Sequence, residues 1–266
     1  MKAEYVDHMG SDLSIVNAAR VSHDKTSEWA NEGVVDWAYN EQTKKVEFVF
    51  TQQLKEKDAN LIRYLARGMS SEDYDSILDE LLETETHEEV KACLSRLRTD
   101  KHWTPFAHTC ISLRATAPLP IRTQCYKHKQ GLVENEESRR YISSKPTLFV
   151  PEAFRSKPVG NIKQGSGGVH PRSNGWLNQY EWVCQEAISL YESMITDGVC
   201  PEQARFVLPQ GVEVSWMWTG NVFAFAQFCS KRSNPHAQKE IQDLAKMVSA
   251  IVEPLFPVSW RALLNG

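Results

Sequence analysis

Gln124–Tyr141 reads QCYKHKQGLVENEESRRY, and the rest of the chain is best read outward from it. Lys127, His128 and Lys129 stand in a row, followed by Asn135, Glu136, Ser138, Arg139, Arg140 and Tyr141. A stretch this rich in donors suits a bound anion and an aromatic ring better than a core, because buried cations need partners. Upstream, AHTCISLRAT (107–116) alternates Ile111, Leu113 and Ala115 with Cys110, Ser112 and Arg114, the period of a half-buried strand. Pro118 and Pro120 then suit the first turn of a helix over Ile121–Lys129, which places Gln124, Lys127 and His128 on one face. Gly131 ends that helix, and Leu132–Tyr141 is expected to be a loop or short turn.

Further out, Ser11 or Asp12 caps a helix over 11–22 in which Arg20 reads as a solvated, dipole-complementing cation. KVEFVFT (45–51) reads as a strand after a loop, and Leu54–Arg67 as a helix. The acidic segment 70–90 reads as a helix with a solvated face, and Ile77, Leu78, Leu81 and Leu82 form its apolar stripe. HWTPFAH (102–108) lacks metal-ligand spacing and reads as a polar turn. Residues 155–176, rich in Gly, Ser and Asn, form an expected mobile surface loop without a Walker signature. Leu177–Ile195 follows the helical period, PEQARFVL (201–208) reads as a short helix and Val212–Thr219 as a strand. A last helix runs from Asn234–Pro235 to Val252, with Arg232 just ahead of its N-terminus.

The chain has 266 residues and 41% hydrophobic content, enough for one sizeable core, and a single domain over 1–266 is expected. A net charge of -4 argues against a general nucleic-acid binder, so any basic site is local. No long apolar run is present and the first residues lack a signal-peptide pattern, so a cytoplasmic protein without membrane segments is expected. The six cysteines are scattered without a CxxC pair, which fits reduced thiols and no metal site.

Taken together, these motifs resemble the flavin-dependent thymidylate synthases, whose signature is Arg-His-Arg, a short spacer, then Asn-Glu-x-Ser-x-Arg-Tyr. Here it stands as Lys127-His128-Lys129 and Asn135-Glu136-Glu137-Ser138-Arg139-Arg140-Tyr141, with MGSDLSIVNAARVS, HWTPFAH, ARFVLP, WTGN and KRSNPHAQKEI in order around it. The resemblance implies an α+β fold, a mixed sheet flanked by helices, assembled as a homotetramer with FAD and dUMP in shared sites. It implies transfer of a one-carbon unit from 5,10-methylenetetrahydrofolate to dUMP, with NADPH supplying electrons through FAD, and no nucleic-acid partner.

Carried over by position, Gln124, Lys127, Ser138, Arg140 and Arg205 match the dUMP contacts, with the backbone of Glu136, Glu137 and Arg139 beside the phosphate. Lys127, His128, Lys129, Asn135, Glu136, Asn221, Phe223 and Gln227 match FAD contacts, together with Ser22, His102 and Thr104. Arg232 matches the catalytic cation beside uracil. Lysines replace both triplet arginines, which turns forked donors into point charges, and the spacer after Lys129 is one residue longer than common. Phe223 stands where many relatives carry arginine, and 70–90 reads as an insertion. Two other readings are a thiol enzyme using Cys125 with His128 and a non-catalytic nucleotide or RNA-binding module.

Overall fold

The computed structural model describes residues 1–30, 34–40, 45–97, 102–159 and 165–265, of which 34–40, 45–51 and 265 are described by backbone alone. In chain order the elements are β1 (Lys2–Met9), α1 (Asp12–Arg20), β2 (Val34–Asn40), β3 (Lys45–Thr51), α2 (Glu56–Arg67), α3 (Ser71–Glu83), α4 (His87–Arg96), β4 (Cys110–Pro118) and α5 (Leu119–Cys125). Then come β5 (Leu132–Glu136), α6 (Ser173–Thr196), α7 (Pro201–Ala204), β6 (Glu213–Gly220), α8 (Val222–Arg232), α9 (Lys239–Leu255) and α10 (Pro257–Asn265). They fall into two compact units, Met1–His8 with Ile111–Val252, and Met9–Cys110 with Glu253–Gly266. No helix among the described residues is long and apolar enough to cross a membrane.

The first unit is built on a sheet of order β1-β4-β6-β5. Its β4–β6 and β5–β6 ladders are antiparallel, where a mixed sheet was expected. The alternation read in β4 is real: Ile111, Leu113, Ala115 and Ala117 are buried, while Ser112 and Arg114 lie on the other face and bond to Thr219 and Ser215 of β6. Trp216 and Trp218 continue the buried face, and Trp218 meets Phe225 and Phe228 of α8 edge-on at 5.2 and 4.8 Å. The thiol of Cys229 donates to the Ala245 carbonyl, tying α8 to α9.

The stretch after Gly131 is a strand, not the expected loop. Residues 132–136 alternate a covered face, with Leu132 buried and Glu134 and Glu136 half-buried, with exposed Val133 and Asn135, and they pair with β6 in the register Leu132↔Gly220 to Glu136↔Trp216. This close approach requires two glycines. Gly131 has φ +74° and a Cβ there would meet Ala224 at 3.0 Å, while a Cβ on Gly220 would lie 2.5 Å from the Gly131 carbonyl. Two helices also differ in their bounds. The last long helix starts at Lys239 rather than near Asn234, and α6 starts at Ser173, four residues before the expected Leu177. Ser173 is fixed there by accepting the Phe154 N–H, and Arg155 bridges Val169 across the Gly-rich segment, whose residues 160–164 lie outside the described ones.

The second unit packs α1, α2 and α10 around Ile15, Val16, Ile62, Phe106 and Trp260. Ser11 caps α1 through a capping box with Ser14. The neighbouring Asp12 points elsewhere: it accepts the N–H groups of Val258 at 2.8 Å and Ser259 at 3.0 Å, capping α10. Burial raises the Asp12 carboxyl pKa despite those bonds. The acidic segment forms two helices, α3 and α4, around a small apolar cluster of Met69, Ile77 and Cys93. Residues expected to be loop before β3 include a further strand, β2, paired antiparallel with it.

Arg20 is not a solvated cation. Its guanidinium pairs at 2.5 Å with Asp58, whose side chain is fully buried and also accepts from Ser27 at 2.9 Å. Removing one partner of a buried pair strands the other charge, so Asp58→Ala is expected to lower the unfolding free energy by about 3–5 kcal/mol. Urea denaturation checks this; a change below about 1 kcal/mol would show that the pair is dispensable.

Candidate active site

The carboxyl end of α5 and the last turn of α8 bring three of the sequence-selected residues together in the first unit. Arg232 Nε donates to His128 Nε2 at 2.9 Å, and its Nη2 donates to the Gln124 carbonyl at 3.3 Å. The expectation that Arg232 precedes a helix N-terminus is corrected: it is the last residue of α8, and α9 begins at Lys239. Its cation therefore sits at the negative end of a helix dipole, which stabilises it, and the site gains no second source of positive potential. His128 also meets the Phe228 ring edge-on at 5.1 Å. Burial, reinforced by the charges of Arg232 and Lys231, lowers its pKa to about 4, so it is a neutral acceptor at physiological pH.

A second group gathers around Glu202 of α7. Its carboxylate lies 3.5 Å from Arg140 Nε and its carbonyl accepts from Arg205 Nε at 3.2 Å, so two arginines expected to meet the nucleotide phosphate flank one residue. Ser138 stands beside them, its hydroxyl accepting the Arg140 N–H at 3.3 Å. The Arg140–Glu202 pair is half-exposed at both ends, so it is weak and readily exchanged. Glu137 donates its N–H to Ser215, and Arg139 bonds the Ser144 carbonyl, which fixes the turn from β5 into the loop.

The remaining cations of the stretch are distributed differently. Lys127 is exposed, while Lys129 pairs with Glu134 and lies 5.1 Å from the Tyr126 ring centroid. Glu136 sits 2.8 Å from Arg122, and Asn135 is exposed opposite Met217 of β6. Asn221 caps α8, its side-chain oxygen accepting the Ala224 N–H at 2.8 Å, and Phe223 and Gln227 follow on that helix.

Ser22, His102 and Thr104 belong to the second unit. Ser22 and His102 line a cavity of about 830 Å³ that also carries Arg20, Lys25, Lys57 and Tyr64. His102 and Tyr64 stack with centroids 5.7 Å apart and planes 16° from parallel. Exposed Thr104 opens the 3-10 turn Thr104–His108. Arg20 is committed to Asp58, but Lys25 and Lys57 as cations for a pyrophosphate, the stacked rings and this volume fit part of a flavin dinucleotide.

Residues 4–258 match the family model described as thymidylate synthase complementing protein. The chain belongs to that family. Among relatives, the flavin-dependent thymidylate synthase of Thermus thermophilus is 30% identical over 257 residues, covering 97% of this chain and 73% of its own. That of Thermosipho africanus is 26% identical over 264 residues, covering 98% and 89%. A solved structure of a UMP/dUMP methylase, PolB from Streptomyces cacaoi bound with 5-Br dUMP, matches with a TM-score of 0.69 at 23% identity, covering 99% of this chain and 94% of that one.

The thiol alternative fails on the same geometry that supports the family reading. Cys125 is fully buried and burial pushes its thiol up to about 12 despite the charge of Arg232, while His128 Nε2 is already occupied in accepting the hydrogen bond from Arg232 Nε. For a thymidylate synthase of this family, the residues missed from sequence are Glu202 and Glu134. Each lies within five positions of a selected cation, a spacing that gave a signal only once the turns were known.

Because the folded pKa of His128 lies below the unfolded value near 6.5, any stability it contributes is present above that value and lost as pH falls toward 4. An NMR titration of the His128 ring is expected to show no protonation down to about pH 5. A midpoint above 6 would contradict the Arg232 contact.

Proposed function

We propose that the protein is a flavin-dependent thymidylate synthase that converts dUMP to dTMP, taking its one-carbon unit from 5,10-methylenetetrahydrofolate and its electrons from NADPH. The observation that carries this reading is the double anchoring of Arg232 by His128 and Gln124 within a chain of this family. Two of its nitrogens are committed to the protein, which fixes the plane of the guanidinium and leaves Nη1 for the substrate.

In this reading Ser138, Arg140 and Arg205 hold the phosphate, with the backbone of Glu136–Arg140 and exposed Lys127 beside it. Arg232 meets the uracil, and Gln124 contacts the nucleoside beside it. A fixed cation at the base stabilises negative charge as it develops on the ring, favours the form ionised at N3 and so raises electron density at the carbon that accepts the new substituent. No protein nucleophile is needed, consistent with the buried, protonated Cys125. FAD supplies the redox chemistry. By family position its contacts are His128, Lys129, Asn135, Glu136, Asn221, Phe223 and Gln227, together with Ser22, His102 and Thr104, in a homotetramer.

The test is tritium release from dUMP labelled at C5. The wild-type protein with FAD, NADPH and methylenetetrahydrofolate is expected to release tritium and form dTMP, and to form no dTMP without the folate. Arg232→Ala is expected to lose at least ~100-fold in turnover while FAD stays bound. A colourless wild-type protein that does not take up FAD, or an Arg232→Ala variant with normal turnover, would overturn the assignment.

A further inference from the structure

Beside the anchored Arg232 runs a hydrogen-bond chain that the proposed mechanism does not use. Gln124 Nε2 donates to Gln238 Oε1 at 2.7 Å, and Gln238 Nε2 donates to Glu240 Oε2 at 2.9 Å. The other oxygen of Glu240 accepts from Arg155 Nη2 at 2.6 Å, and Arg155 Nε donates to Ser166 at 2.7 Å. Gln124 and Gln238 are partly open to solvent, whereas Glu240 is 8% exposed with both oxygens engaged.

The direction of this chain is set at its buried end. An amide side chain offers a donor at one side and an acceptor at the other, and can turn over; an ionised carboxylate only accepts. Burial works against the Glu240 charge, but the bonds from Arg155 and Gln238 outweigh it and hold the carboxyl below its usual range. Gln238 must therefore turn its NH₂ to Glu240 and its oxygen to Gln124. Gln124 must in turn give its NH₂ to Gln238, which leaves its side-chain oxygen for the nucleotide.

We propose that Gln238 and Glu240, backed by Arg155, are positioning residues that make Gln124 a fixed acceptor for a hydrogen-bond donor of dUMP. This rests on the reading that Gln124 contacts the nucleotide. It makes Glu240→Gln a reversal of polarity and not a mere loss. The amide at 240 keeps its oxygen on Arg155 and presents its NH₂ to Gln238, so Gln238 and then Gln124 turn over. Gln124 then presents a donor where dUMP needs an acceptor. Adding Gln238→Glu restores the original polarity at Gln124, because the carboxylate at 238 accepts from both neighbours while the 238–240 bond stays reversed.

The test is dUMP binding to FAD-loaded protein by titration calorimetry, paired with steady-state kinetics. Glu240→Gln is expected to weaken dUMP about 10-fold and to raise KM for dUMP with little change in kcat, since an unmatched polar pair costs roughly a tenfold factor. The double variant Glu240→Gln/Gln238→Glu is expected to bind within ~3-fold of wild type, a recovery that a purely structural role for Glu240 does not produce. Gln238→Leu, at an exposed position, is expected to weaken dUMP like the single reversal. Substituting 2′,3′-dideoxyuridine monophosphate, which lacks the 3′-hydroxyl, is expected to abolish the difference between Glu240→Gln and wild type, because the uracil ionised at N3 offers no donor; an undiminished difference would contradict the acceptor role of Gln124. If Gln124→Ala weakens dUMP while Glu240→Gln binds it normally, or the double variant recovers nothing, the positioning role is wrong. If Gln124→Ala itself binds normally, the nucleotide reading of Gln124 fails instead.

Discussion

The site depends on one guanidinium joining two segments that the chain keeps far apart. Arg232 reaches His128 and the Gln124 carbonyl across 104 and 108 positions. Its effect comes from being fixed before any ligand arrives. A cation that must be gathered from solvent pays ordering entropy on binding, whereas one already bonded through two nitrogens does not. The neutral state of His128 follows from its burial first and then from this contact, since a proton on that ring would face the guanidinium directly.

Holding Arg232 there is the task of the fold around it. Asn221 starts α8 at a defined point, and Gly131 and Gly220 allow β5 to close on β6 beside that start. Trp218 and the Phe225 and Phe228 rings then lock the helix to the sheet, so its last residue falls over the end of α5. The cations are graded in the same way. Arg20 is committed to a buried carboxylate and Arg155 to Glu240, while Arg140 keeps only a long, half-exposed contact with Glu202. The tightly paired ones serve structure; the loosely paired one is available to an incoming anion.

Much of this was legible in the sequence, for physical reasons that differ by element. The alternation in 110–118 is a direct consequence of one buried sheet face, whereas the helix expected over Ile121–Lys129 ends at Cys125, so that Arg232 gathers Gln124 and His128 but not exposed Lys127. The strand at 132–136 was not legible, because its Glu134, Asn135 and Glu136 are poor strand formers overruled by pairing with Trp216 and Trp218. Arg232 was named by its motif but misplaced relative to its helix, because Ser233–Gln238 reads as a helix start and is instead a connecting turn. Glu202, Gln238 and Glu240 lie inside motifs the sequence shows, but which group answers which is decided by tertiary contact.

A crystal structure of the FAD-loaded protein with dUMP tests the central claim most directly. The account predicts Arg232 within ~3 Å of the uracil edge, still bonded to His128, with the phosphate among Ser138, Arg140 and Arg205. A nucleotide bound with its base away from Arg232, or an Arg232 side chain that has left His128 and Gln124, would contradict it.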